Sequence, residues 1–208
     1  MKDIGGILKR IEGKQTADTI AKSLGIKQES ALNLIARLKK QGFVATEGGG
    51  RQKRIYSIST RRIPAENGMF AVINRHAKAK VVPEFIHTVH GRYGPEGAII
   101  DAIKLGDIRV LQGSLYLFNH IKDWTRLHAL ARKHNVEAIL GALYDLTRKV
   151  IKARKMPIKM RKALLVKRPK KLIELIRGLR TDSKWIGEIS AEWGVKLPFS
   201  ARDVEEMK

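Results

Sequence analysis

The chain has 208 residues, 43% of them hydrophobic, no cysteine, and 42 Lys or Arg against 20 Asp or Glu, for a formal net charge of +22. Such a length allows one large domain or two small ones, and the lack of cysteine excludes a disulfide framework and Cys-based zinc or iron–sulfur sites. No apolar run approaches the roughly 18 residues of a membrane span, and no secretory pattern opens the chain, so the expectation is a cytoplasmic protein with a polyanionic partner and no membrane contact.

The basic excess falls in two blocks. Residues 1–62 carry 14 Lys or Arg against 5 acids, and residues 63–147 carry 10 against 8. Residues 148–180 carry 14 against Glu174 alone, and residues 181–208 carry 4 against 6.

Ile4, Ile7, Leu8 and Ile11 repeat at i, i+3, i+4 and i+7, which predicts a first helix. Thr16 stands at an N-cap position for TADTIAKSLG, with Ile20, Ala21 and Leu24 on one face and Gly25 supplying a turn with positive φ. A third helix follows in QESALNLIARLKKQ, burying Ala31, Ile35 and Leu38 and ending at Gly42 in the C′ position. Helix, glycine turn and helix at this spacing predict a helix-turn-helix. After it, TEGGGRQKRIYSIST poses a choice between a phosphate-cradling loop and a hairpin tip. A phosphate loop leads into a helix. Here the glycines lead into Ile55, Tyr56 and Ile58, strand-favouring residues with no helix start. With Gly42–Thr46 as the opposing strand, the glycines are predicted to turn a hairpin.

IAKSLGI (20–26), LIARLKKQGFV (34–44) and GGGRQKRIYSI (48–58) resemble the winged-helix DNA-binding domains of prokaryotic transcription regulators. The resemblance implies that the third helix enters the major groove by its N-terminal half. Lys27, Gln28, Ser30 and Asn33 are then base or phosphate contacts, with Arg37 reaching the backbone. Arg51, Lys53 and Arg54 would grip phosphate from the wing. Lys27 stands where many such helices start with Ser or Thr, so a capping oxygen is missing.

Beyond Arg61-Arg62-Ile63-Pro64 the segment 65–82 is ambiguous, since MFAVI reads as a strand or as a buried helical turn. Pro83 and Pro95 are each placed to start a helix, ended by Gly91 and Gly106 respectively. Asp123 and Asn135 are placed to cap WTRLHALARKH and VEAILGALYDLTRKVIKARK. The expected fold is α+β, mainly α: an N-terminal winged helix-turn-helix over 1–62, then a mainly helical domain over 63–208.

GPEGAIIDAIKLGD is similar to the C-terminal region of type IV abortive-infection antitoxins through Pro95, Glu96, Ile99, Ile100 and Asp101. Gly97 departs from the larger side chain expected there. That similarity implies an autoregulating protein with a nucleotidyltransferase toxin as partner. His87 and His90 are spaced as a metal pair without a third ligand. Gly113-Ser114 has the look of a nucleotidyltransferase start, but only Asp123 follows, where paired acids are needed for metal ions. No catalytic site, cofactor or metal is expected.

Residues 148–180 read as helices broken before Pro157 and Pro169, with an apolar face inward and a basic face outward. The segment has no aromatic residue, which argues against membrane-surface and single-strand binding. Duplex backbone contact by Arg154, Lys155, Lys159, Arg161, Lys162, Lys167, Arg168, Lys170 and Lys171 is the expectation. WIGEISAEWGV is helical and ends at Gly194, and Ser200 with Asp203 forms a capping box for a last short helix. The expected function is double-stranded DNA binding by a transcriptional regulator, dimerising through its C-terminal domain. The alternatives are sequence-independent DNA or RNA binding, and the antitoxin.

Overall fold

The computed structural model describes residues 3–48, 54–63, 67–89, 91, 93–165, 169–176, 178 and 182–207. It is mainly helical with a small three-stranded sheet, and the chain divides into two compact units. Unit 1 comprises Met1–Glu66 and Val82–Thr88; unit 2 comprises Asn67–Val81 and Val89–Lys208.

Unit 1 is built from α1 (Ile4–Ile11), β1 (Gly13–Gln15), α2 (Ala17–Leu24), α3 (Gln28–Lys40), β2 (Val44–Glu47) and β3 (Ile55–Ile58). Each helix starts where the sequence offers an acceptor, except α3. Asp3 accepts from the Gly6 N–H, and Thr16 forms a reciprocal capping box with Thr19, satisfying N–H groups that a helix start leaves unpaired. Lys27 caps α3 with no side-chain bond, as its residue type requires. Gly25 (φ 67°) closes α2 in the left-handed region. Gly42 (φ 84°) does the same after α3, and a Cβ there would also press on Ile86, 2.9 Å away.

The sheet is antiparallel with order β1-β3-β2. Glu47 pairs with Ile55 at the open end of β2–β3, so the glycine-rich stretch joins two strands and precedes no helix. Strand β1 was not expected: Gly13-Lys14-Gln15 carries no apolar signal, and its edge position comes from pairing with Tyr56–Ile58. Leu8, Ile11, Ile20, Ala31, Ile35, Leu38, Val44, Tyr56 and Ile58 close one core. Glu12 ties α1 to the exit of β3 by accepting from the Thr60 N–H (3.0 Å) and hydroxyl (2.9 Å). These bonds favour the ionised carboxylate and hold its pKa below the ordinary value.

Unit 2 runs α4 (Met69–His76), α5 (Pro95–Leu105), α6 (Ile108–Leu115), a 3-10 helix (Tyr116–His120), α7 (Trp124–Lys133), α8 (Glu137–Val150), α9 (Ile158–Leu165), β4 (Ile173–Glu174), α10 (Lys184–Trp193), β5 (Val195–Lys196) and α11 (Ala201–Glu205). The ambiguous MFAVI is therefore helix, burying Met69, Phe70, Val72 and Ile73. Helix α5 starts at Pro95 and stops at Gly106 (φ 67°); it packs against α4, α6 and α7, with Ala98, Ile99, Ala102 and Ile103 buried. Helix α8 packs against α9 and α10. Gly141 faces the Trp193 ring so closely that a Cβ has no room.

Four expectations for this region are corrected. Residues 83–89 and 91 form no helix: Val82–Thr88 belongs to unit 1, and the Val89 N–H donates to Asn67 O rather than one turn back. Asn135 caps nothing; it adopts φ 55° as the chain leaves α7, and Val136 precedes α8 without a side-chain bond. Helix α8 stops at Val150, because Ile151 is extended and the Arg154 N–H donates to Phe118 O. Finally, the described residues 169–176 and 178 form no helix: β4 pairs in parallel with β5, Ile173 opposite Val195. The break at Pro157 stands, with α9 directly after it.

Candidate nucleic-acid interface

Helix α3 turns Ala31, Ile35 and Leu38 into the unit 1 core, which fixes what its other faces present. Ser30, Asn33 and Arg37 are exposed and stand at i, i+3 and i+7, so they form one stripe. Lys40 at i+10 extends it. The sequence reading missed Lys40, although the same periodicity pointed to it. Gln28 lies on the opposite flank of the buried face and donates from Nε2 to Asp18 Oδ1 at 2.6 Å, tying α3 to α2. Lys27 is exposed at the helix start. Leu32 (44% exposed) adds an apolar group beside the polar ones.

Of the three basic residues expected between β2 and β3, Arg54 is described and exposed; Arg51 and Lys53 lie outside the described residues. Four other cations of unit 1 are committed to the fold. Lys14 pairs with Glu47 (3.1 Å), Lys39 donates to Thr46 Oγ1 (3.0 Å), Arg10 donates to Ser23 O (2.6 Å), and Arg62 lies 5.6 Å over the Phe43 ring. Among the described residues, the side chains of Lys27, Arg37, Lys40 and Arg54 make no comparable bond, and neither do those of Lys9, Lys22 and Arg61.

The basic segment of unit 2 sorts by residue type. Its described arginines hold the fold: Arg148 donates to Ala153 O (3.1 Å) and Arg154 to Ile121 O (2.8 Å). Arg161 binds Asp145 and Glu192 and stacks over Trp193, 5.3 Å from the ring centre. Asp145 in particular holds the guanidinium well above its ordinary pKa. Arg161 is therefore engaged within unit 2, with about one-third of its side chain still exposed. Lys155, Lys159, Lys162, Lys170 and Lys171 are exposed, and among the described residues their ammonium groups have no ion-pair partner. Planar guanidinium forks suit fixed bidentate bonds, whereas hydrated ammoniums on flexible stems stay in solvent. Lys167 and Arg168 lie outside the described residues.

The acids that drew attention in the sequence serve local structure. Glu96 is buried and accepts from the Lys122 (2.9 Å) and Asp123 (3.1 Å) N–H groups. Asp107 and Asp123 cap α6 and α7. Asp101 accepts from the Tyr93 hydroxyl at 2.7 Å, and burial together with that bond pushes the phenol far above its ordinary pKa. Gly97 departs from a larger residue because the Tyr93 ring lies 2.8 Å from where its Cβ would be. Gly113 likewise admits Ile73, and the Ser114 hydroxyl donates to Leu111 O. His87 lies in a loop and His90 outside the described residues. Among the described residues no group of three or more His, Asp or Glu is placed to hold a metal ion. No helix among them is long and apolar enough to cross a membrane.

Comparison with protein-family models, with curated proteins and with solved structures gave no match.

Proposed function

We propose that the chain is a cytoplasmic double-stranded DNA-binding protein that regulates transcription, with unit 1 as a winged helix-turn-helix domain. The observation that carries this reading is the stripe Ser30, Asn33, Arg37 and Lys40. It is a polar and cationic face, free of internal partners among the described residues, on the second helix of a helix–turn–helix pair. An α-helix fits the major groove, where Asn33 can bond an adenine edge bidentately. Arg37 and Lys40 further along, Lys27 at the helix start, and Arg54 before β3 supply phosphate contacts that set register without reading sequence. The order of three helices and an antiparallel β2–β3 hairpin supports the same assignment.

The exposed lysines Lys155, Lys159, Lys162, Lys170 and Lys171 favour a second reading, in which the protein holds duplex nucleic acid without sequence preference. They are exposed cations whose segment has no aromatic platform for unstacked bases. Selection from a random duplex pool at physiological salt separates the two. A regulator should prefer one site over random duplex by roughly 10³-fold or more; a flat selection would leave the sequence-independent reading. A toxin partner is the remaining reading of residues 94–107. A nucleotidyltransferase gene beside this one is the observation that would favour it.

A further inference from the structure

Unit 2 contains a cleft of about 610 Å³ that the DNA reading does not use. Arg75 and His76 from the end of α4, His120 from the end of the 3-10 helix, Lys122, Arg126 of α7 and Arg154 line it. The two imidazoles stack with ring centres 3.8 Å apart and planes 26° from parallel. Neither imidazole, nor the side chain of Arg75 or Lys122, has a hydrogen-bond or ion-pair partner among the described residues. Two carboxylates also line the cleft: Glu96 accepts from the Lys122 and Asp123 N–H groups and Asp123 caps α7, and neither forms an ion pair with Arg75 or Lys122.

Like charges gathered around a hollow repel, and the effect is visible at His76, whose pKa is held below the ordinary value by burial and then by His120, Arg75 and Lys80. A ligand carrying two or more negative charges converts that repulsion into attraction and supplies acceptors to Arg75, Lys122 and the two rings. Arg154 is already positioned for this role, since its Nη1 bond to Ile121 O fixes the guanidinium at the cleft wall. The volume exceeds that of one phosphate group and lies in the ordinary range for small-molecule sites. Val72 and Tyr93 give the cleft a less polar wall for the remainder of such a ligand. The same two rings also border a second hollow of about 380 Å³, beside Asn119 and Lys152.

We infer that this cleft binds a small phosphorylated molecule, whose phosphate oxygens accept from Arg75, Lys122, Arg154 and the stacked pair His76 and His120. The inference stands whether or not unit 1 binds DNA.

Pyrophosphate is the probe, titrated into the full chain while the C2 protons of all six histidines are followed by NMR. The His76→Gln and His120→Gln variants assign the two signals. Binding should move those two with a saturable curve, because the anion lies against both rings; the other four should stay in place. By calorimetry Arg75→Gln and Lys122→Gln, exposed positions that leave the core intact, should each weaken pyrophosphate about tenfold, and Lys159→Gln should not. No binding, an equal shift at all six histidines, or an equal loss in Lys159→Gln would overturn the inference. A short duplex that moves the two signals where pyrophosphate does not would overturn it too.

Discussion

Arg161 of α9 grips Asp145 of α8 with two parallel hydrogen bonds, Nε to Oδ1 at 3.2 Å and Nη2 to Oδ2 at 2.5 Å. The same carboxylate accepts from Trp193 Nε1 at 2.8 Å, and the same guanidinium reaches Glu192 at 2.6 Å, so three helices meet at one ion pair. Asp145 is largely shielded while Arg161 is about one-third exposed, at 16% and 36% of their side-chain surfaces. Solvent screening therefore reduces the pair's worth but does not abolish it. Arg161→Ala should cost about 1–3 kcal/mol in urea unfolding. Arg161→Lys should recover little of it, because an ammonium cannot form the fork. An unchanged midpoint in Arg161→Ala would show that the pair contributes nothing.

The neighbouring lysines should behave in the opposite way. Replacing Lys155, Lys159, Lys162, Lys170 and Lys171 by Gln removes charge from exposed side chains without ion-pair partners, so the unfolding midpoint should stay within about 0.5 kcal/mol of the parent. If these side chains meet DNA phosphates, the slope of log affinity against log salt should become shallower by about 0.9 for each phosphate that is no longer neutralised. The weakening should be equal for all duplexes. A weakening confined to one sequence would contradict the backbone role.

On α3 the expected effects divide along the stripe. Asn33→Ala should relax preference at one base pair by about 1–3 kcal/mol. Arg37→Ala and Lys40→Ala should lower affinity for every duplex. Gln28→Ala should leave sequence preference nearly intact, since that side chain is held by Asp18 in α2. Competition of a selected site against random duplex measures all four. If Gln28→Ala relaxed specificity and Asn33→Ala did not, the groove-facing side of α3 would have to be reassigned.

What the sequence revealed of this fold depended on whether the deciding interaction was local. Thr16, Gly25, Gly42, Pro95, Gly106, Asp123 and Ser200 act within a few residues of themselves, and each does what its residue type predicts. The Val82–Thr88 segment misled because its proline and apolar residues suit a helix start, while Ile86 is placed against Gly42, distant in sequence. Strand β1 was invisible because Gly13–Gln15 gains its conformation from β3. In the candidate interface, Ser30, Asn33 and Arg37 came from the resemblance to winged helices, and the helical form of α3 sets them on one stripe. The role of Arg161 was not legible, because Asp145 and Glu192 come to it from other helices. The His76–His120 stack was hidden for the same reason.

Two helical glycines give a test in which structure reverses a simple propensity argument. Glycine inside a helix is less favourable than alanine by about 1 kcal/mol, so Gly→Ala should stabilise wherever a methyl group fits. At Gly187 in α10 nothing lies within 4 Å of the position a Cβ would take, and Gly187→Ala should raise stability by about 0.5–1 kcal/mol. At Gly141 in α8 the fully buried Trp193 ring occupies the space the methyl group needs. The indole cannot withdraw without breaking its bond to Asp145 and disturbing the packing of α10 on α8. Overpacking of this kind costs about 1–3 kcal/mol, which exceeds the helical gain. Gly141→Ala should therefore destabilise in urea unfolding while Gly187→Ala stabilises. If both substitutions stabilised, the α8–α10 contact would be looser than Gly141 and Trp193 imply.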